Sequence, residues 1–231
     1  ELLDADKAYE ATLRLGVTTT TADAEGETLQ VRPVHITTEM LAAALKQFTG
    51  PIRQVPPMYS ALKRDGKPLY EYARAGIELE RSAREVTIYA IELLEWQGDT
   101  VRIAVDCSKG TYIRTLAEDI GELLGCGAHL TALRRTRIGA INLHGAVTLE
   151  VLEQASDRDV LLHATESLLA DLPAARLDSL GSERMLHGQA VAWPDGQPEQ
   201  RYRTYAADGR FIGLCQQDVQ GRLAPKRLVA A

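Results

Sequence analysis

Cysteine is scarce in this sequence, and its placement excludes two common kinds of scaffold. The 231 residues include three cysteines, an odd number with irregular spacing and therefore no disulfide framework. There is no Cys-x-x-Cys pair, and Cys126 with His129 lacks the two further ligands of a zinc site. We expect a reduced, cytoplasmic protein that holds no metal.

Long apolar runs are also missing. Glu, Asp or Lys interrupts every periodic stretch within a few positions, which argues against a membrane helix and a membrane partner. The first residues, Glu1-Leu2-Leu3, are neither a signal peptide nor a transit peptide and include no initiating Met, so we expect a segment upstream of them. With 45% hydrophobic and 25% charged residues, the composition is that of a folded globular protein.

Net positive charge is absent as well. The formal charge of -6 does not indicate nucleic-acid binding, but a basic face can coexist with acidic surfaces elsewhere. Three local basic clusters are candidates for such a face, and they lie at residues 134–137, 63–67 and 226–227. Composition alone leaves the partner open.

The pattern of apolar residues predicts interleaved strands and helices. Residues 6–15 alternate like a strand, and residues 101–107 alternate like one face of a half-buried antiparallel strand. Thr38 is typical of an N-cap before an amphipathic helix, and residues 113–124 carry a second helical stripe. Asp65-Gly66 is a turn sequence between two short strands. Without a regular β-α-β rhythm, an α+β domain is favoured.

The texture changes after Pro173. Helical patterns continue to about Ala170, whereas later residues alternate short apolar stretches with Gly, Pro and Asp, as in a small all-β domain. We place a boundary near residue 171, with one domain at 1–170 and a second at 171–231.

Five segments carry a resemblance to a known family. They are Lys7-Ala8-Tyr9 with Arg14-Leu15-Gly16; the run from Pro56 to Lys63; Gly66 to Gly76; Cys107 to Leu116; and Gly127 to Leu130 with Leu133-Arg134-Arg135. In this order they resemble the bacterial TruB-type tRNA pseudouridine synthases. The resemblance implies a mixed, largely antiparallel sheet flanked by helices, followed by a small RNA-binding barrel of the PUA type.

The resemblance also implies a reaction. Family members isomerise one uridine in the T-arm of tRNA, at position 55, by breaking its N-glycosidic bond and remaking it at carbon 5. They use no metal or organic cofactor and need no obligate protein partner, so a monomer acting on tRNA is expected. The target base must first be flipped out of the stack.

One part of the family pattern is not found in this sequence. The family's catalytic aspartate lies in a Gly-His-Thr-Gly-x-Leu-Asp-Pro-like segment before the Lys-x-Tyr motif. No such segment occurs among the residues of this chain, so we expect the 231-residue polypeptide to be inactive alone.

Two residues match the family's catalytic positions. Tyr9 matches the tyrosine that stacks on the flipped base and assists proton removal at carbon 5, although a packed strand tyrosine is the simpler alternative. Arg114 matches the arginine that pairs with the catalytic carboxylate, where a planar guanidinium offers bidentate bonds. With that aspartate absent, Arg114 is expected to lack its partner, and burying it unpaired is costly.

Further matches concern substrate binding. Tyr112 and Leu133 match pocket-lining residues, although a core leucine would show the same pattern at 133. The expected contacts to RNA phosphates, which need positive charge rather than sequence-specific geometry, are Lys63, Lys109, Arg134 and Arg135. One departure is Thr20, which occupies a loop position where the family usually has Asp.

Two other functions fit parts of the sequence. A guide-RNA-dependent pseudouridine synthase subunit shares the superfamily, but its C-terminal barrel is larger and more basic. A non-catalytic RNA-binding or RNA-folding module fits a chain without the nucleophile.

Overall fold

The first strand shows how the sequence encodes the core. In the computed structural model, which describes residues 2–194 and 196–229, the strand at Lys7–Leu15 confirms the prediction, with Ala11, Leu13 and Leu15 each at most 2% exposed. It ends at Gly16, whose φ of +83° suits glycine. A Cβ there would lie 2.7 Å from Val34 Cγ2 and 2.8 Å from a backbone oxygen, so no larger residue fits.

The strands of the first part of the chain are β1 (Lys7–Leu15), β2 (Val17–Thr19), β3 (Thr28–Val31), β4 (Gly50–Gln54), β5 (Lys63–Arg64), β6 (Lys67–Pro68), β7 (Arg84–Gln97), β8 (Thr100–Cys107), β9 (Ala128–Ile138) and β10 (Ile141–Asn142). Strand β1 lies inside a six-stranded sheet with the order β10-β9-β1-β8-β7-β4, in which the described pairs are antiparallel. Two hairpins, β2–β3 and β5–β6, lie outside this sheet.

Helices α1 (Thr38–Gln47) and α3 (Ile113–Leu123) bury their apolar stripes against this sheet, and α2 (Leu69–Arg74) follows the second hairpin. The predicted cap of α1 is wrong by one residue. Thr37 is the N-cap, because its side chain accepts the Met40 amide at 3.3 Å, and Thr38 is the first helical residue. Two adjacent threonines fit the capping pattern equally well in sequence, and only the backbone geometry separates them.

Helix α3 packs closely enough on the sheet to require a glycine. Its buried residues include Ile113, Leu116 and Ile120, as the stripe predicts. A Cβ on Gly121 would overlap the backbone at Gly127 and Ala128, where the chain leaves the helix and enters β9. The helix is therefore fixed at a short distance from the start of that strand.

The chain divides into two compact units, 1–144 and 145–231. In the second unit, the helical patterns that continue to about Ala170 correspond to α4 (Leu149–Gln154) and two short 3-10 helices, at Asp159–Leu161 and Thr165–Leu169. The predicted boundary near residue 171 stays a prediction. The first barrel strand begins shortly after it, at Ala174.

The C-terminal strands form a curled, five-stranded sheet of the PUA-like type, with the order β11-β13-β14-β15-β12 and its own core. The sequence did not predict helix α5, which Asp178 caps by accepting the Gly181 amide at 2.7 Å. The elements are β11 (Ala174–Arg176), α5 (Ser179–Leu186), β12 (Val191–Ala192), β13 (Arg201–Tyr205), β14 (Phe211–Gln217) and β15 (Arg222–Leu228). Among the described residues, no helix is long and apolar enough to cross a membrane.

Gly121→Ala is expected to destabilise the chain by about 2 kcal/mol, because the added methyl meets backbone that cannot rotate away. Urea unfolding followed by circular dichroism measures this change. Leu123→Ala, at a 44% exposed position on the same helix, is the control and should change stability by less than about 0.5 kcal/mol. Equal effects of the two substitutions would contradict the close approach.

Candidate active site

Arg114 is the second residue of α3, and two segments distant in sequence hold its guanidinium. Nη1 donates to Asp23 Oδ2 at 2.9 Å, and Nη2 donates to the Tyr59 carbonyl oxygen at 2.5 Å. The Arg114 and Asp23 side chains are 25% and 22% exposed. The expectation that Arg114 lacks a partner is therefore wrong, because a carboxylate from the loop after β2 takes that place.

Asp23 is held on both of its carboxylate oxygens. Oδ2 receives Arg114, whereas Oδ1 accepts the Thr21 hydroxyl at 2.5 Å and the Glu25 amide at 3.2 Å. Burial raises the pKa of Asp23, but the Thr21 hydroxyl, the Glu25 amide and Arg114 together outweigh it, and the pKa lies below its ordinary value. Asp23 is thus an ionised, fully hydrogen-bonded group.

The start of α3 is fixed from the opposite side by β4. Gln54, which is 2% exposed, accepts the Tyr112 amide through Oε1 at 3.0 Å and donates from Nε2 to the Tyr112 carbonyl oxygen at 3.3 Å. Tyr112 is the N-cap of the helix and makes no side-chain cap hydrogen bond. Its half-exposed side chain remains a candidate for lining the pocket, while its backbone positions Arg114.

Tyr9 lies on β1 and is half-buried against the sheet core. Its neighbours in register are Val105 on β8 and Arg135 on β9. Burial raises the pKa of Tyr9, the Cys107 thiol adds to this effect, and Arg135 opposes it. A phenol with a raised pKa stays protonated near neutrality, which suits stacking better than it suits removal of a proton.

Leu133 lies on β9 opposite Ala11 and is 48% exposed. This exposure excludes the alternative that it is a core leucine. An exposed leucine on the strand that carries Arg135, next to the strand that carries Tyr9, can contact a flat apolar surface such as a nucleobase.

Three of the predicted phosphate-binding residues are exposed and carry no ion pair within the described part of the chain. Lys63 lies on the β5–β6 hairpin, and Arg134 and Arg135 lie on β9. The fourth, Lys109, donates to Asp4 Oδ1 at 2.6 Å on an exposed surface. Such an exposed pair is weak, so Lys109 can exchange Asp4 for a phosphate at little cost.

No group of three or more His, Cys, Asp or Glu side chains that could hold a metal ion occurs in residues 2–194 and 196–229. The chemistry available at this site is that of a paired guanidinium, two carboxylate oxygens and a protonated phenol.

Chains with this fold occur in solved structures of two complexes. A Cbf5–Nop10–Gar1 complex contains a chain that matches with a TM-score of 0.70 and 22% identity, over 98% of this chain and 67% of that one. An H/ACA RNP bound to a substrate RNA containing 2′-deoxyuridine matches with a TM-score of 0.69 and 20% identity, over 100% of this chain and 68% of that one. Both matches show the fold, an α+β domain followed by a PUA-like C-terminal sheet.

Sequence comparisons identify the class of protein and the family. The N-terminal domain of the TruB family pseudouridylate synthases matches residues 1–113, the C-terminal domain of tRNA pseudouridylate synthase B matches 114–171, and the C-terminal region of pseudouridine synthase II TruB matches 173–229. The tRNA pseudouridine synthase B of Aromatoleum aromaticum is 57% identical over 99% of this chain and 74% of that protein. That of Burkholderia mallei is 54% identical over 99% of this chain and 78% of that protein. The chain belongs to the TruB family.

Sequence reasoning missed three contributors to the site. The sequence patterns single out neither Asp23 nor Gln54. Tyr59 lies in one of the five family segments, but it contributes through its backbone carbonyl. The Thr-x-Asp-x-Glu order is a signal for a side chain that caps its own loop. Nothing local indicates that the same carboxylate reaches an arginine 91 residues away.

Alanine at Lys63, Arg134 or Arg135 should weaken RNA binding equally for cognate and unrelated stem-loops, because phosphates carry no sequence information. Each substitution should flatten the slope of log affinity against log salt by about 0.7 to 0.9. Salt titrations of binding measure this slope. Arg102→Ala is the charge-matched control, because Arg102 pairs with Glu95 and Glu10 and its loss should leave the slope unchanged. An unchanged slope in all three test variants would put the RNA on another face.

Proposed function

We propose that this protein isomerises the T-arm uridine of tRNA, at position 55, to pseudouridine. The bond between N1 and the ribose C1′ breaks, a bond between C5 and C1′ forms, the C5 hydrogen leaves as a proton, and N1 gains one. The product contains the same atoms as the substrate, so the reaction needs no redox partner and no cofactor. The name of the relatives, tRNA pseudouridine synthase B, supports tRNA as the substrate.

One observation carries this proposal: two hydrogen bonds within the chain already orient the Arg114 guanidinium, and its other N–H groups are left for a further partner. A guanidinium has five N–H groups, and the described hydrogen bonds of Arg114 use one on Nη1 and one on Nη2. Three N–H groups therefore remain, on Nε and on the two terminal nitrogens. They can hold a second carboxylate in bidentate geometry and keep it ionised.

Asp23 is poorly suited to be the nucleophile itself. A carboxylate attacks carbon through a lone pair, and Asp23 has a donor on each oxygen, including a cation on Oδ2. Three hydrogen bonds stabilise its ionised form and lower its nucleophilicity. We therefore assign Asp23 the role of orienting Arg114, and we place the nucleophilic aspartate in a segment outside these 231 residues.

The remaining matched residues fit the handling of a flipped base. Enzymes that act on a base inside a helix extrude it and replace its lost stacking. Tyr9 provides a half-buried ring for that purpose, Leu133 provides an exposed apolar contact, and Arg135 lies next to Tyr9 in register, where it can reach a phosphate. We propose that one copy of the protein carries this out on tRNA in the cytoplasm.

The test is the release of the C5 hydrogen. A T-arm stem-loop with uridine tritiated at C5 is incubated with one of two proteins. One is the 231-residue chain, and the other is the same chain extended at its N-terminus by the residues that its own upstream codons encode. We expect tritium release and pseudouridine only with the extended chain, and none when cytidine replaces the target uridine. Turnover by the 231-residue chain would mean that the nucleophile lies within it, and no turnover by either chain would contradict the proposed reaction.

A further inference from the structure

We infer that Thr21 is a positioning residue: its hydroxyl fixes the Asp23 carboxylate in the orientation that receives Arg114. This inference rests on the proposed function for its catalytic consequence, but its physical content concerns this chain alone. It assigns a role to a loop residue whose described side-chain hydrogen bond goes to Asp23 and not to the guanidinium.

The two oxygens of Asp23 have separate tasks. The Thr21 hydroxyl donates to Oδ1 at 2.5 Å, and the Glu25 amide donates to the same oxygen at 3.2 Å. With Oδ1 held in the loop, the carboxylate plane is set and Oδ2 faces Arg114 Nη1 at 2.9 Å. Without the hydroxyl, the longer amide bond is the remaining described hydrogen bond on Oδ1.

The backbone of the loop is held by contacts that do not involve the Thr21 side chain. Thr19 Oγ1 donates to the Asp23 carbonyl oxygen at 2.7 Å, and Thr20 accepts the Glu27 amide on its hydroxyl at 3.1 Å. The Leu130 amide on β9 donates to the Ala22 carbonyl oxygen at 3.0 Å. Removal of the Thr21 hydroxyl should therefore release the carboxylate while the loop keeps its path. This separates a positioning role from a structural one.

Gly26 supports the same geometry. A Cβ at this position would lie 2.5 Å from Thr21 Oγ1, 2.7 Å from the Thr21 amide nitrogen and 2.9 Å from Thr20 Oγ1. Because one of these neighbours is backbone, the loop would have to shift. Only glycine lets the chain pass close enough for Thr21 to face Asp23.

The electrostatic effects on the Asp23 carboxylate agree with this role of the Thr21 hydroxyl. Burial raises the pKa of Asp23, and the Thr21 hydroxyl, the Glu25 amide and Arg114 all oppose it, with the Thr21 hydrogen bond as the largest single opposing effect. Among the described residues, Arg114 is the charged side chain that acts on Asp23, and Glu25 and Glu27 on the loop are exposed. Loss of the hydroxyl should raise the pKa of Asp23. The protonated, neutral form, which holds a guanidinium less strongly, then persists to higher pH.

The activity test uses the N-terminally extended chain with Thr21→Val, Thr21→Ser and the control Thr28→Val, which makes the same change at an exposed position on β3. Thr21→Val should lower kcat about tenfold and leave KM within about twofold, because misplacement of a catalytic group affects the transition state more than binding. The acidic limb of its pH–rate profile should move to higher pH. Thr21→Ser, which keeps the hydroxyl, should restore both the rate and the profile, and Thr28→Val should match the wild type in its profile.

A second measurement does not depend on turnover. The 231-residue chain is labelled with ¹³C at aspartate carboxyls, and the Asp23 signal, assigned by its loss in Asp23→Asn, is titrated by NMR. A higher pKa in Thr21→Val than in the wild type and Thr21→Ser supports the inference even if the extended wild type makes no pseudouridine, an outcome that would contradict only the proposed function. An unchanged Asp23 titration in Thr21→Val, or the same rise of the Asp23 pKa in Thr28→Val, overturns it.

Discussion

A partly buried guanidinium at the first turn of a helix needs a carboxylate, and the site is built around that requirement. Arg114 lies at the positive end of α3, where the helix dipole disfavours a cation, and it is three-quarters removed from solvent. Leaving it unpaired there would be costly. Asp23 and the Tyr59 carbonyl oxygen meet this need, and both come from loops distant in sequence from Arg114.

The sheet makes this convergence possible. Strands β1, β8 and β9 are neighbours, so Tyr9 lies between Val105 and Arg135. The chain enters α3 soon after β8 ends, and the Asp23 loop forms a bridge to Leu130 on β9. The strands and the packed helix α3 thus position the loop of Asp23, the loop of Tyr59 and the segment between β8 and α3. Such fixed positions are what a preorganised catalytic site needs.

Much of this could be predicted from sequence, and the failures have physical causes. The stripe in α3 and the alternation in β8 follow from local periodicity, and the five ordered segments identify the family. The partner of Arg114 could not be predicted, since an ion pair across 91 residues leaves no local pattern. The exposure of Leu133 could not be predicted either, because an exposed leucine and a buried one show the same sequence pattern at this position of β9. The roles of Tyr9, Tyr112 and the basic residues remain predictions.

We propose that Asp23 acts through Arg114 and does not attack the nucleotide. A double-mutant cycle in the extended chain tests it most directly, with single-turnover rates for Asp23→Asn, Arg114→Lys and the double variant. Arg114→Lys should slow the reaction by more than about a hundredfold, since an ammonium cannot hold two groups in bidentate geometry. If Asp23 acts through the guanidinium, the double variant should be at most about threefold slower than Arg114→Lys alone, because coupled residues are not additive. Losses that multiply, or complete loss of turnover in Asp23→Asn alone, would contradict the account.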